Sequence, residues 1–213
     1  MGKTAGMDVT RAAALVTGLV EAEGLALVHD RRLPSATAAI VGEPVTGSWW
    51  SHPLANVIYG ALESLDERFA TCKLVARKLT LVAPRLWPDL AAIGSARLDW
   101  QCDGLSPAEL DLLARTSSAP GSVPLDKPDT RAAGRRLEER LLVAAHDVHT
   151  AAGHHLKVVQ SWRHWQRQHA VEGPLPDTGA AMARIEQIVQ RWQAGRKVLP
   201  WPEGLESSAP ASP

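Results

Sequence analysis

The sequence predicts a mainly α protein with a small β-hairpin, and three observations lead there. Apolar residues recur at helical spacing through most of the chain. The β-compatible runs that stand together, Phe69 to Val75 and Leu79 to Val82, are short and adjacent. Of the 213 residues, 45% are hydrophobic and 22% charged, enough apolar surface for a packed core without disulfide or metal support.

The elements follow in order. Asp8 or Thr10 caps a helix over Arg11 to Val20, which Gly24 ends. Leu25 to Val28 is an apolar run of strand length, and His29 to Arg32 a polar turn. Ala36 to Val41 forms a short helix between Pro34-Ser35 and Gly42. Val45 to Pro53 is a loop. Leu54, Ile58, Ala61, Leu62 and Leu65 then lie on one face of a helix from Pro53 to Asp66. The hairpin comes next, turning at Ala76-Arg77-Lys78 without the favoured Asn-Gly pair. Arg85 to Ile93 resumes as helix. Ser106 and Glu109 make a capping box for a helix to Arg115, with Pro107 in its first turn.

Residues 117–130 are rich in Ser, Pro, Gly and Asp and read as a linker. Arg131 to about Gln168 reads as a long helical pattern, striped by Leu137, Leu141, Ala144, Val148, Ala152, Leu156, Val159 and Trp162 and interrupted at Gly153, which bends or breaks it. A further helix spans Gly179 to Ala194, and residues 198–213 read as a Pro-rich polar tail. No internal repeat is visible. Helix, strand, two helices and hairpin is the element order of a winged helix-turn-helix. The expected organisation is therefore a winged-helix-like region at 1–116, a linker at 117–130, a helical region at 131–197 packed against the first, and a flexible tail at 198–213.

Composition narrows the function. Lys+Arg and Asp+Glu are each 23, so the net charge is zero, which argues against strong non-specific polyanion binding. Two cysteines, Cys72 and Cys102, stand in no metal-ligand spacing and read as free thiols of a reducing compartment. Residues 1–8 lack an apolar signal core and no stretch nears 18 apolar residues, so a cytoplasmic protein with no membrane partner is expected. No Gly-rich phosphate loop and no nucleophile elbow occur, and no cofactor is implied.

Candidate sites each admit two readings. Trp49-Trp50-Ser51-His52 is either a stacking platform with His52 as proton donor or phosphate contact, or a loop that plugs two indoles into the core. Lys73, Arg77, Lys78 and Arg85 around the hairpin are either phosphate contacts of a wing or solvated surface. The helix in the base-reading position offers His52, Asn56 and Tyr59 but no Lys or Arg, and ends in Glu63, Asp66 and Glu67. His146 and His149 share a helical face on this reading, so they are weak metal candidates. His52, His149 and His155 are candidates for acid-base catalysis.

Gly47-Ser-Trp-Trp-Ser-His-Pro53, Arg85-Leu-Trp-Pro88 and Val148-His-Thr150 with Gly153-His154 resemble a family of small uncharacterised bacterial proteins. The resemblance takes in most of residues 34–166 and brings no assigned activity. More weakly, the basic hairpin followed by a Trp-Pro helix resembles winged-helix proteins related to bacterial alkyl-DNA and crosslink glycosylases. Those enzymes use a Gln-rich catalytic motif, whereas Gln101 stands alone here. That second resemblance implies DNA binding, in repair or defence, and no catalysis. Three expectations result: a nucleic-acid-associated protein touching DNA or RNA through Trp49, Trp50, His52 and the basic hairpin; a hydrolase or lyase with a His-rich helix facing the Trp49-Trp50-His52 loop; or a protein-protein interaction module, which the acidic third helix favours.

Overall fold

A computed structural model describes residues 6–149 and 155–202. The first unit runs α1 (Val9–Glu23), β1 (Leu25–Leu27), α2 (Ala36–Val41), α3 (Ala55–Ser64), β2 (Ala70–Val75) and β3 (Lys78–Val82). Its three strands form an antiparallel sheet in the order β1-β3-β2, with Ala26 opposite Leu81 and Cys72 opposite Thr80. Asp8 caps α1 by accepting from the Arg11 amide at 2.8 Å, and Gly24 closes it in a conformation with positive φ that suits glycine.

The apolar run at Leu25 to Val28 has a tertiary explanation. Leu25 and Leu27 enter one core, while Ala26 and Val28 enter another on the opposite face. The sheet is thus covered on both sides. One face packs on α1, α2 and α3; the other on α4 (Trp87–Ser95), α8 (Trp162–Gln168) and α9 (Thr178–Arg191). The hairpin turn is made by Ala76 and Arg77, both at left-handed φ, a strained choice for residues with a Cβ. The Ala76 amide donates to the Val198 carbonyl at 2.6 Å, which ties this turn to the last described segment.

A short helix, α5 (Asp99–Cys102), leads into the second unit. There Gln101 is fully buried: its side chain accepts from the Leu98 amide and donates to the Ile93 and Arg140 carbonyls. The unit comprises α6 (Pro107–Ser118), β4 (Val123–Pro124), α7 (Pro128–Glu139), β5 (Ala144–His149) and β6 (His155–Gln160). The Ser106–Glu109 capping box is present: Glu109 accepts from the Ser106 amide at 2.6 Å. The expected helix from Arg131 to Gln168 is not one helix. It stops at Glu139, Leu141 takes a left-handed φ, and two antiparallel strands precede α8. The misleading stripe has a physical origin. Ala144, Val148 and Leu156 are spaced by fours and eights, which satisfy a period of two as well as one near 3.6. β-branched Val143, Val148, Val158 and Val159 then favour strand.

The stretch 117–130, expected as a linker, holds β4. Val123 and Pro124 pair with Val159 and Val158, so it is one edge of the second sheet, a position that tolerates proline. That sheet is antiparallel in the order β4-β6-β5. The first unit runs helix, strand, two helices, hairpin and the second helix, strand, one helix, hairpin, and in both the first strand lies beside the last. The repeat lives in the backbone and not in residue identity. The chain is helix-rich with two small sheets, and among the described residues no helix is long and apolar enough to cross a membrane.

A candidate cleft between the two units

Edge strands β2 and β5 face one another where the units meet, and a cavity of about 310 Å³ opens beside them. Its first wall comes from the loop before α3. Residues Trp49–Ser51 form one 3₁₀ turn, which sets Trp49 and Trp50 in a stack with centroids 3.9 Å apart and planes at 25°. Trp49 packs against the α1–α3 core, whereas Trp50 is 61% exposed. Of the two indoles, one thus reaches the core and the other faces out. Tyr59 of α3 lies 5.8 Å from Trp50, and Leu79 of β3, 42% exposed, extends the apolar wall.

His29 anchors this loop. Its ring nitrogens bond Thr37 Oγ1 at 3.0 Å and the Gly47 carbonyl at 2.9 Å, so one imidazole joins α2 to the start of the Trp segment. The sequence carries no sign of that role, since the partners are 8 and 18 residues away. His52 serves the same loop: its Nδ1 accepts from the Leu54 amide at 3.1 Å at the entry to α3. It does not line the cavity.

The opposite wall comes from the second unit. It places His146 and Asp147 of β5, Lys157 of β6 and Glu138 of α7 across from Tyr59, Glu63 and Asp66 of the first unit. Four carboxylates and one ammonium group line the space. Glu138, with its side chain only 2% exposed, accepts from Lys157 at 2.8 Å and pairs with Lys73 at 3.4 Å, which balances its charge. Asp66 and Asp147, one from each unit, make the cleft electronegative. Their convergence registers on two side chains. Desolvation, then the Glu63 and Asp147 carboxylates, hold the Tyr59 phenol above its ordinary range. His146 is half-buried, and burial lowers its pKa against the opposing pull of Asp66 and Asp147, with His169 and His164 adding to the lowering. The ring is therefore biased toward its neutral form. A smaller cavity of about 160 Å³ adjoins across His146, where His169 stacks on Trp165 at 4.4 Å.

The expected basic contacts are placed differently from one another. Lys73 pairs with Glu138 and, at 3.8 Å, with Glu139. Arg85 donates to the Glu21 carbonyl at 2.5 Å and to that of Ala22, serving the open C-terminal end of α1. Lys78 pairs with Asp30 at 2.7 Å. Arg77 alone among these four is exposed without a polar partner among the described residues.

Asp30 gives a test of the Lys78 contact. Burial pushes its carboxyl up, but Lys78 and the Arg32 and Leu33 amides outweigh that and hold it below the ordinary range. A lowered folded-state pKa stabilises above the unfolded value, and that stability disappears as pH falls through the folded one. Lys78→Met is therefore expected to cost up to about 1 kcal/mol at neutral pH. In urea unfolding the deficit should close as the pH drops below about 4. A deficit that is the same at all pH values would refute the pair.

His149 and His155 stand opposite each other in the last pair of the β5–β6 ladder, where β5 ends and β6 begins. Their side chains, with Thr150, Gly153 and His154, lie outside the described residues. The helical face that would have joined His146 to His149 does not exist, because both belong to a strand. Among the described residues no group of three His, Cys, Asp or Glu is placed to hold a metal ion. Sequence reasoning set Asp147 and Glu138 beside the His146–His149 pair and Lys157 on a basic helix face; only the meeting of two sheets brings the three to Trp50.

Comparison with protein-family models, with curated proteins and with solved structures finds no match, so the cleft's own chemistry is what bears on function.

Proposed function

We propose that the chain is an interaction module of two winged-helix-like units, whose shared cleft receives a cationic side chain, arginine or lysine, from a partner protein. The order helix, strand, helices, hairpin, with the first strand beside the last, supports the winged-helix reading of the first unit and its echo in the second. The observation that carries the binding reading is the exposed face of Trp50 set over an electronegative cleft. An indole face attracts a cation through its quadrupole, best when water is partly excluded, and carboxylates of both units supply the charge complement. Leu79 and Tyr59 suit the aliphatic stem of such a side chain.

Nucleic-acid binding is the second reading, because a stacked, exposed indole also accepts an unpaired base. Against a phosphate backbone count the cleft's carboxylates and the internal partners of Lys73, Lys78 and Arg85. Calorimetric titration separates the two. An Arg-containing tripeptide with blocked ends should bind saturably, and Trp50→Ala and Asp66→Asn should each weaken it about tenfold, or about 1.4 kcal/mol. Single-stranded oligonucleotide should not bind at the same ionic strength. Oligonucleotide binding that is lost with Trp50→Ala, beside an inert peptide, would replace this reading with the nucleic-acid one.

A further inference from the structure

A separate cavity of about 260 Å³ lies where the end of α4, α6 and the start of α8 meet, and it shares no lining residue with the cleft. Its polar side chains are guanidinium groups and hydroxyls, with no carboxylate among them. Arg97 sits at a left-handed φ in the turn after α4, a conformation that costs about 1–2 kcal/mol for a residue with a Cβ. Strain of this kind persists where the surroundings hold it, and is often found at binding sites. Here Ser117 holds it: the Arg97 guanidinium donates to Ser117 Oγ at 2.9 Å, and that hydroxyl spends its own proton on the Leu113 carbonyl at 2.8 Å.

Thr116 Oγ1 likewise gives its proton to the Leu113 carbonyl at 2.9 Å, whereas the two remaining hydroxyls are poised differently. Ser95 Oγ accepts from the Gln166 side-chain amide at 3.4 Å, and Ser161 Oγ accepts from the His164 backbone amide at 3.3 Å. Each keeps a proton to donate. Arg163 is exposed and has no polar partner among the described residues. Two guanidinium groups and two hydroxyl protons thus converge over a wall of Leu113 and Trp162.

We infer that this cavity is an oxyanion site that takes a phosphate group, free or as a monoester. Guanidinium forks match the paired oxygens of a tetrahedral dianion, and hydroxyl donors serve the rest. The absence of a lining carboxylate spares an anion the repulsion it would meet beside the carboxylates of the cleft.

Calorimetry on the full chain, at constant ionic strength and about pH 7.5 where a phosphate is mostly dianionic, provides the test with inorganic phosphate and O-phosphoserine as probes. Saturable one-to-one binding is expected for at least one of them. Arg97→Gln and Arg163→Gln should each weaken it tenfold or more, while Lys127→Gln, which removes an exposed cation elsewhere, should leave it unchanged. Tighter binding of O-phosphoserine identifies a monoester as the natural occupant, and tighter binding of inorganic phosphate identifies the free ion. Arg163 makes no internal polar contact, so its variant keeps the fold and decides the matter if Arg97→Gln does not fold. No saturable heat with either probe, or equal weakening by Lys127→Gln, would overturn the site.

Discussion

Arg184→Met is expected to lower the unfolding free energy by about 3 kcal/mol, seen as a lower urea midpoint with an unchanged slope. The cause is Asp89, whose side chain is 6% exposed in the first turn of α4. Arg184 reaches it from α9 with two nitrogens, Nε at 3.0 Å and Nη2 closer still. The hydrogen bond to Asp89 also raises the guanidinium pKa. Methionine retains much of the aliphatic stem and removes the charge, so a buried carboxylate is left without its counter-ion. The effect belongs to that orphaned charge and not to the pair as such. Asp89→Asn in the Arg184→Met background should therefore recover a large part of the loss. If the double variant is as unstable as the sum of the single ones, the two side chains are not coupled and the account fails.

Trp162→Ala should cost more, about 3–5 kcal/mol. The side chain is 3% exposed in the core shared by both units, and it meets Trp165 edge-on at 5.3 Å. Its Nε1 donates to the Leu141 carbonyl at 2.6 Å, at the left-handed residue where α7 turns toward β5. Truncation opens a cavity and strands that carbonyl. Trp162→Phe keeps most of the volume but not the hydrogen bond, so a loss of about 1–2 kcal/mol is expected. Gly94 completes the fit, because a methyl group there would overlap the indole. Gly94→Ala alone should cost about 1–3 kcal/mol from overpacking. Combined with Trp162→Phe it should cost less than the sum. Additive losses in thermal unfolding would show that the glycine and the indole do not share the space.

Much of the first unit was legible because its signals are local. Asp8, Gly24, Ser35 and Gly42 mark helix ends through hydrogen bonds that span only a few residues. The Ser106–Glu109 box is legible for the same reason. The segment 131–168 was misread because its apolar spacing satisfies two periods at once. What breaks the tie is pairing: β4, some 35 residues before β6, supplies an edge that a helix could not use. The Pro- and Gly-rich stretch 117–130 reads as a linker because edge strands tolerate the residues that linkers favour.

The cleft divides in the same way. Trp49 and Trp50 stood out by composition, yet nothing local says that one indole packs inward while the other faces out. Nothing local places Asp147 and Lys157 in this cleft, which they reach only because β5 comes to lie beside β2. By itself the sequence determined a helix-rich chain, helix ends such as those at Asp8, Gly24, Ser35 and Gly42, the first hairpin and the position of the Trp loop, all consequences of short-range hydrogen bonds and apolar periodicity. Only the tertiary structure decided that the second half echoes the first, that Lys73, Lys78 and Arg85 pair internally, and that an aromatic face meets carboxylates from both units. Those outcomes depend on burial and charge pairing between residues far apart in the chain, which periodicity does not encode.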